Sequence, residues 1–213
     1  MHKLINSLLF SVVFTIVFAA QAIAEESRWY DLFDGKTLEG WRVAEHPDSI
    51  RVEKGVIICD GARAHAFYDG GVGKHDFKNF ELEAESMLVP GASSGIYFHT
   101  EYQEKGFPGK GHELQINNTH RTPKRTGSLY EIVNLDTTKV KDNEWIKLRI
   151  VVEAKRIQLF VNGDRAVDYT EPADYQPDAE RPGRKIASGT VALQCTDPAS
   201  TAYFRNIRIR MLP

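Results

Sequence analysis

Short stretches in which apolar and polar residues alternate follow one another along most of the chain. The alternating stretches are residues 79–87, 94–100, 112–117, 146–152 and 157–161. Alternation with a period of two predicts β-strands that have one buried face and one polar face. Beyond the N-terminal apolar run, no long window has the apolar spacing of a helix. The pattern therefore predicts an all-β protein of about ten short strands.

Turn residues separate these predicted strands. Lys54-Gly55 interrupts an apolar run and predicts a hairpin over 51–60, and Asn162-Gly163 is typical of the two-residue turn between antiparallel strands. The polar segment 173–185 contains Pro177 and Pro182 and predicts a long loop. Short strands, frequent turns and the lack of an internal repeat favour a two-sheet antiparallel β-sandwich or jelly roll. We expect this fold to form a single domain over residues 25–213.

The first 24 residues indicate an export signal rather than part of the fold. Lys3 precedes an apolar run at 8–20, and Ala22-Ile23-Ala24 places small residues where a signal peptidase cuts. We expect a signal peptide over 1–24, cleavage before Glu25 and a periplasmic or secreted protein. The alternative, an uncleaved anchor helix, is disfavoured because a membrane span needs about 20 apolar residues. No cysteine lies near the cleavage position, so no lipid anchor is expected, and no later segment predicts a membrane span.

Composition and charge exclude several classes of protein. The 213 residues include 42% hydrophobic and 26% charged residues, which is an ordinary globular mixture. The formal net charge of -2 provides no basic excess, so no nucleic acid is expected as a partner, and no protein partner is indicated. Two cysteines, Cys59 and Cys195, are too few for a disulfide-dense scaffold or a four-thiolate zinc site. Export would permit them to form a disulfide, and two buried free thiols are the open alternative.

Unusual residues occupy the polar faces of three predicted strands. They are Glu81, Glu83 and Glu85 on the first strand, Tyr97 and His99 on the second, and Glu113, Gln115 and Asn117 on the third. If these strands are neighbours, their polar side chains share one surface. A carbohydrate site needs aromatic rings that stack on a sugar and carboxylates or amides that bind its hydroxyl groups. The simpler interpretation of the three glutamates is a solvated strand face, and a single histidine is more often structural than catalytic.

Sequence motifs along the chain resemble those of a known family. In order, they are residues 32–41 (LFDGKTLEGW), 93–98 (SSGIYF), 111–116 (GHELQI), 126–130 (TGSLY), 143–145 (NEW), 161–163 (VNG), 191–194 (VALQ) and 203–210 (YFRNIRIR). Together they resemble the 3-keto-disaccharide hydrolase domain family of secreted bacterial proteins, over about residues 29–213. Each motif alone is weakly specific, whereas their number and order are specific. The chain departs from the family pattern at Ser93, at His99 and at Thr196-Asp197.

The resemblance implies a concanavalin-A-like jelly roll and a carbohydrate substrate, namely a glycoside oxidised to a ketone at C3 of the sugar. Such a ketone acidifies the C2 proton, and loss of that proton allows the group at C1 to leave by β-elimination. Water then adds to the resulting glycal, which completes a net hydrolysis. The route requires a base, a group that stabilises the enediolate and an acid for the leaving group. A divalent metal cation that holds the C2 and C3 oxygens would supply the stabilisation.

With this chemistry, Glu113 and His99 are the candidates for catalytic base or metal ligand, and Glu85 is the second carboxylate. The candidate sugar contacts are Tyr97, Gln115, Tyr130, Lys124 and Arg205. Arg205 has an alternative role as the partner of a buried carboxylate. Two other functions stay open, a non-catalytic carbohydrate-binding module on the same fold and a conventional retaining glucanase. The sequence disfavours the glucanase because it contains no Glu-x-Asp-x-x-Glu strand. A buried carboxylate with a raised pKa beside His99 would favour the enzyme, and a flat aromatic strip with fully solvated carboxylates would favour the binding module.

Overall fold

Two antiparallel β-sheets contain all the strands of the computed structural model, which describes residues 28–213. The predicted signal peptide lies outside the described residues. The strands, in chain order, are β1 (Tyr30–Asp31), β2 (Trp41–Ala44), β3 (Ile50–Glu53), β4 (Val56–Asp60), β5 (Ala64–Tyr68), β6 (Phe80–Leu88), β7 (Ser94–Thr100), β8 (His112–Ile116), β9 (Ile146–Glu153), β10 (Arg156–Val161), β11 (Asp164–Thr170), β12 (Thr190–Cys195) and β13 (Thr201–Met211). Two 3-10 helices, Pro47–Ser49 and Val72–His75, are short. Within the described part of the chain, no helix has the length and hydrophobicity that a membrane span requires.

Eight strands form one sheet and five form the other. The larger sheet has the order β11-β10-β9-β6-β13-β4-β3, with β1 beside β13, and the smaller sheet has the order β2-β5-β12-β7-β8. All the pairs between these strands are antiparallel. Several neighbours in each sheet come from distant parts of the chain, as in a jelly roll. The prediction of an all-β, two-sheet antiparallel sandwich is confirmed.

The core lies between the two sheets and is built mainly from alternate residues of the strands. Leu82 and Ala84 of β6 pack into it from the larger sheet, and Ile96 and Phe98 of β7 pack into it from the smaller one. One buried face for each strand is what the alternating pattern predicts. The polar residues of the strands consequently lie mainly on two outer faces, one for each sheet.

The two hairpins that the turn residues predict are both present. Lys54-Gly55 connects β3 to β4, and Asn162-Gly163 connects β10 to β11 with φ values of 51° and 89°. Positive φ at both central residues is the requirement of a type I′ turn, which asparagine and glycine meet at little cost. The loop at 173–185 contains no strand or helix. It is held beside β8, because the Gly183 carbonyl accepts a 2.9 Å hydrogen bond from the Gly111 amide.

The two cysteines are buried free thiols, Cys59 on β4 and Cys195 on β12. Burial raises the pKa of the Cys59 thiol and raises that of Cys195 to about 11. A thiol with a raised pKa is a poor nucleophile, because the reactive species is the thiolate. The two residues therefore contribute to packing between the sheets.

Candidate active site

A pocket of about 350 Å³ opens on the outer face of the five-stranded sheet. Its walls come from the loops that carry Phe107, Tyr130 and Arg184. Its floor consists of side chains from three neighbouring strands, namely Tyr97 of β7, Glu113 and Gln115 of β8 and Gln194 of β12. Sites for small molecules usually measure about 300–1,000 Å³, so the pocket has room for a small ligand.

Glu113 is the carboxylate on the floor of this pocket. The residue is only 4% exposed, and Tyr97 lies opposite it on β7. The Tyr97 hydroxyl donates a hydrogen bond to the Glu113 carboxylate and accepts one from Nε2 of Gln194 at 3.2 Å. Oγ1 of Thr196 donates in turn to Oε1 of Gln194 at 2.7 Å. The carboxylate thus lies at the end of a chain of hydrogen bonds that fixes its position.

Burial gives Glu113 an unusual proton affinity. It raises the pKa of Glu113 to about 7, although the hydrogen bond from Tyr97 and the positive charge of Arg184 both act to lower it. At neutral pH the side chain therefore exists both as a carboxylate and as a carboxylic acid. A group with this property can take up and return a proton during one reaction. A carboxyl group with such a shift inside a cleft is a recognised mark of a functional site.

A glycine provides the space that the Glu113 carboxylate occupies. A Cβ atom added at Gly95 of β7 would lie 2.3 Å from Oε1 of Glu113, so any side chain there would displace the carboxylate. Gln115 lies opposite Gly95 on β8. Its Nε2 donates to Oγ of Ser93 at 3.0 Å and to the carbonyl of Ser94 at 3.1 Å. The start of β7 therefore leaves room for the Glu113 carboxylate and holds the Gln115 amide in place.

Three cations surround the ring of Tyr130 at one wall of the pocket. Nζ of Lys124 lies 4.2 Å from the ring centroid, and the guanidinium carbons of Arg181 and Arg184 lie 5.9 and 5.6 Å from it. All three cations pair with a single carboxylate, that of Glu131. Hydrogen bonding from Lys124 lowers the pKa of Glu131, so this carboxylate is ionised. Because three cations share one ionised partner, the wall can stabilise negative charge that develops on a bound substrate.

The structure does not bring His99 to the pocket. His99 has a φ value of 54° and lies where the register of β7 against β12 shifts, which makes it the extra residue of a β-bulge. The bulge reverses the side of the sheet to which the imidazole points, and the ring packs 5.6 Å from that of Phe80 in the core. Nε2 of His99 donates to the carbonyl of Lys78 at 2.8 Å, and burial lowers the pKa of His99. The prediction that His99 and Glu113 share one surface is therefore wrong.

Glu85 and Arg205 belong to the other sheet. Strand β6, which carries Glu85, pairs with β9 and β13 in the eight-stranded sheet and with no strand of the smaller sheet. Oε2 of Glu85 accepts a 2.8 Å hydrogen bond from Nε of Arg205, and the guanidinium of Arg205 covers the ring of Trp145 at 3.9 Å. The prediction that Glu85 and Arg205 share a surface with Glu113 is wrong, because β6 and β13 adjoin no strand of the five-stranded sheet. The alternative role of Arg205 as the partner of a carboxylate is found, although the carboxylate of Glu85 is partly exposed rather than buried as predicted.

The other predicted sugar contacts are found at the pocket. Tyr97, Gln115 and Tyr130 line it, and Lys124 contacts the Tyr130 ring at its wall. The pocket also contains residues that were not among the predicted site residues, namely Phe107, Arg181, Arg184 and Gln194. Gln194 had a sequence signal, since it is the one amide in the apolar run 191–195. The other three come from loops, whose path an alternating pattern does not predict.

The candidate metal ligands do not meet at one point. His99 lies on the core side of its sheet, and its two ring nitrogens bond the Lys78 carbonyl and the Ala187 amide. Glu113 lies on the outer side. Within residues 28–213, no group of three His, Cys, Asp or Glu side chains is placed to hold a metal ion. The residues present therefore do not fit the divalent cation that the family chemistry implies, and no step of the mechanism below runs through a metal.

The chain matches known proteins over most of its length. The family model of the 3-keto-alpha-glucoside-1,2-lyase-like domain matches residues 28–210. A 3-keto-disaccharide hydrolase of Bacteroides thetaiotaomicron is 26% identical over an alignment of 226 residues, which covers 85% of this chain and 77% of the relative. The sequence therefore resembles those of proteins that act on glycosides.

Solved structures show the same fold at low sequence identity. A Parabacteroides distasonis protein, provisionally named a glycosyl hydrolase, superimposes with a TM-score of 0.74 at 20% identity, over 87% of this chain and 94% of that chain. The carbohydrate-binding module CBM66 of Bacillus subtilis has a TM-score of 0.50 at 11% identity, over 85% of this chain and 94% of the module. These likenesses establish the fold alone, because enzymes and binding modules share it.

Proposed function

Because this chain belongs to the 3-keto-alpha-glucoside-1,2-lyase-like domain family, we propose that it cleaves 3-keto-glycosides and that Glu113 removes the C2 proton. The observation that carries the proposal is a buried carboxyl group, on the floor of a pocket, whose pKa is raised to about 7. A base of this strength accepts a proton at neutral pH and returns it readily. A binding module would present solvated carboxylates to a sugar, whereas Glu113 is almost completely buried. The site therefore favours the enzyme over the binding module.

In the first step, the carboxylate of Glu113 takes the proton from C2 of the 3-keto sugar. The electron pair of the C2–H bond forms a double bond between C2 and C3, and negative charge develops on the C3 oxygen. The cations around Tyr130 supply the positive charge that stabilises this enediolate. Charge of this kind is most effective when it is fixed before the reaction, and the pairs with Glu131 fix it here.

In the second step, the enediolate electrons re-form the C3 ketone, a double bond forms between C1 and C2, and the bond from C1 to the leaving oxygen breaks. Glu113 now holds the C2 proton and delivers it to the leaving oxygen, directly or through the Tyr97 hydroxyl to which it is bonded. Glu113 then acts as a base again and takes a proton from water, which adds to C1. Return of that proton to C2 completes a net hydrolysis without any change of oxidation state.

Turnover of a 3-keto-glucoside with a chromogenic leaving group tests the proposal. The wild-type protein should release the chromophore from this substrate and not from the unoxidised glucoside. Glu113→Gln should lower kcat by about 10²- to 10⁴-fold, because the amide cannot take the C2 proton. Glu85→Gln is the matched control, since it makes the same chemical change on the outer face of the other sheet, and it should retain the wild-type rate.

Thermal unfolding of both variants shows whether they are folded before the rates are compared. Release from the unoxidised glucoside by the wild-type protein, or an equal loss of activity in both variants, would contradict the proposal. Binding of the keto-glucoside in calorimetry without any release would assign the protein to the binding modules instead.

A further inference from the structure

We infer that the Phe107 end of the pocket is the binding subsite for the second sugar of a 3-keto-disaccharide, an inference that rests on the proposed function. The ring of Phe107 stacks on this second sugar, and the buried imidazole of His65 supports that ring from beneath. The keto sugar lies at the Glu113 end of the same pocket.

Phe107 is an exposed aromatic ring at the rim of the pocket. It is 48% exposed, whereas the other large hydrophobic residues among those described are buried or half-buried. Its loop is held in place, because Nε2 of Gln103 donates to the Phe107 carbonyl at 3.0 Å and Oε1 of Gln103 accepts from the Gly109 amide at 3.1 Å. A ring that is fixed in advance binds the apolar face of a pyranose without a large loss of side-chain entropy.

The guanidinium of Arg63, which is paired with Glu45, covers one face of the Phe107 ring. The guanidinium carbon of Arg63 lies 4.9 Å from the ring centroid. Nε and Nη2 of Arg63 bond the two carboxylate oxygens of Glu45 at 2.9 and 2.7 Å. The two-pronged ion pair fixes the guanidinium. An apolar ring among fixed polar groups is the combination that a sugar needs, since a pyranose has an apolar face and a polar edge.

His65 of β5 lies between Phe107 and the floor of the pocket. Its ring packs edge to face against Tyr97 at 5.6 Å and against Phe107 at 5.8 Å. His65 is 1% exposed, and its Nε2 has no hydrogen-bond partner among residues 28–213. Buried polar atoms without partners are uncommon, because each loses its bonds to water. Because this nitrogen is buried and His65 does not line the pocket, the imidazole supports the rings of Phe107 and Tyr97 rather than contacting the sugar itself.

The spacing of the two ends agrees with a substrate of two sugar units. In the sheet order β5-β12-β7-β8, His65 and Glu113 lie on strands three positions apart. Neighbouring strands are about 4.8 Å apart, so the two backbones are separated by about 14 Å. Tyr97 and Gln194 occupy the strands between them and line the pocket. A disaccharide whose keto sugar lies at Glu113 is therefore long enough to place its second sugar at Phe107.

Comparison of two substrates tests the subsite. A 3-keto-disaccharide has both sugar units, and methyl 3-keto-glucoside has only the keto sugar. Phe107→Ala should raise KM for the disaccharide about tenfold and should change kcat/KM for the methyl glycoside by less than about twofold. Phe107→Tyr keeps an aromatic ring and should restore the wild-type KM.

Phe160→Ala is the matched control, because Phe160 is an aromatic residue beneath the Arg149 guanidinium at 3.7 Å, in the other sheet. It should leave both substrates unaffected. An unchanged KM for the disaccharide in Phe107→Ala, or an equal loss with both substrates, would overturn the subsite.

Calorimetry decides the subsite independently of catalysis. The 3-keto-disaccharide is titrated into Glu113→Gln and into the double variant Glu113→Gln/Phe107→Ala. Binding that is weaker by about tenfold in the double variant supports the subsite. Equal binding by the two proteins, or binding by neither, overturns it. Failure of the wild-type protein to cleave the 3-keto-disaccharide would refute the proposed function alone, since the binding comparison still decides the subsite.

Discussion

The eight-stranded and the five-stranded sheet each carry a groove lined by glutamates on the outer face. The groove on the larger sheet measures about 530 Å³ and includes Glu83 and Glu85 in its lining. Arg208 and Arg205 pair with these two carboxylates at 2.6 and 2.8 Å. The pocket on the smaller sheet measures about 350 Å³ and contains Glu113, whose bonded partner is the uncharged hydroxyl of a tyrosine. The glutamates of the larger groove are therefore bonded to cations, whereas Glu113 in the smaller pocket is not.

This difference in partners separates a structural carboxylate from a reactive one. Burial raises the pKa of Glu85, but hydrogen bonds from Arg205 and Asn206 outweigh it, so the pKa of Glu85 lies below its usual value. Burial also raises the pKa of Glu113, and here the bond from Tyr97 does not outweigh it, so this pKa is about 7. The larger groove thus holds fixed anions, whereas the smaller one holds a group that exchanges protons. Proton affinity, rather than cavity size, distinguishes the reactive site.

Among substitutions that keep every polar side chain of the pocket, Gly95→Ala is expected to have the largest effect. The new Cβ would lie 2.3 Å from Oε1 of Glu113, so the carboxylate must move. We expect kcat/KM for a 3-keto-glucoside to fall about 100-fold, because a misplacement of about 1 Å has this cost in a catalytic site. Gly71→Ala is the control, since a Cβ there meets nothing within 4 Å and φ is -76°. Wild-type activity in Gly95→Ala would contradict the placement of the base.

Removal of one cation from the wall should have the next largest effect. Arg184→Met should lower kcat about 10- to 100-fold, because less positive charge then faces the enediolate. It should also raise the pKa of Glu113, since the charge of Arg184 lowers that pKa. The acidic limb of the pH–kcat profile should therefore move to higher pH. Arg208→Met, on the other sheet, should leave the limb in place. A limb that is unchanged in Arg184→Met would show that this arginine does not act on the base.

Protein stability should distinguish the two kinds of glutamate by the sign of the effect. Folding raises the pKa of Glu113 from 4.5 to about 7, so the folded state binds more protons in this window and stability falls as the pH rises through it. Glu113→Gln removes this cost and should raise the free energy of unfolding at pH 8 by about 1–3 kcal/mol. Urea unfolding at pH 5 and pH 8 measures it. A gain of equal size at both pH values would show that the effect is not one of charge.

The smallest effect is expected for Glu85→Gln, and its sign is opposite. The pKa of Glu85 is lowered in the folded protein, so its carboxylate adds stability above pH 4.5 that is lost as the pH falls through the folded pKa. The substitution should lower the free energy of unfolding at pH 7 by about 0.5–1 kcal/mol, because the ion pair is partly exposed. The loss should shrink in urea unfolding at pH 3. A loss that is independent of pH would point to packing rather than to the ion pair.

The alternating pattern is sufficient to predict the strands and part of the site. Each strand has one buried face, so apolar and polar residues alternate along it. The alternation that predicts β7 and β8 also assigns Tyr97, Glu113 and Gln115 to the outer face of their sheet. The alternation fails at His99, because this residue forms a bulge and its side chain points to the core side of the sheet. The residues around this histidine give no sign of the bulge, which depends on how β12 pairs with β7.

The strand order is the part of the fold that local patterns do not contain. Strands β6 and β7 follow each other along the chain but belong to different sheets, so Glu85 and Tyr97 lie on opposite outer faces. Which sheet a strand joins is decided by packing between distant segments rather than by its own sequence. Arg184 and Phe107 reach the pocket on loops, whose paths depend on contacts such as that of Gln103 with the Phe107 carbonyl.

Cleavage of a 3-keto-disaccharide in deuterium oxide is the most direct test of proton abstraction by Glu113. Elimination passes the original C2 proton to the leaving sugar, and the addition of water then supplies a new hydrogen at C2. The released 3-keto-glucose should therefore carry deuterium at C2 from the first turnover, beyond the spontaneous exchange of 3-keto-glucose measured in parallel. Glu113→Gln should cleave the substrate and introduce deuterium at least about 10²-fold more slowly than the wild-type protein. Cleavage by the wild-type protein that retains the original hydrogen at C2 would contradict the mechanism.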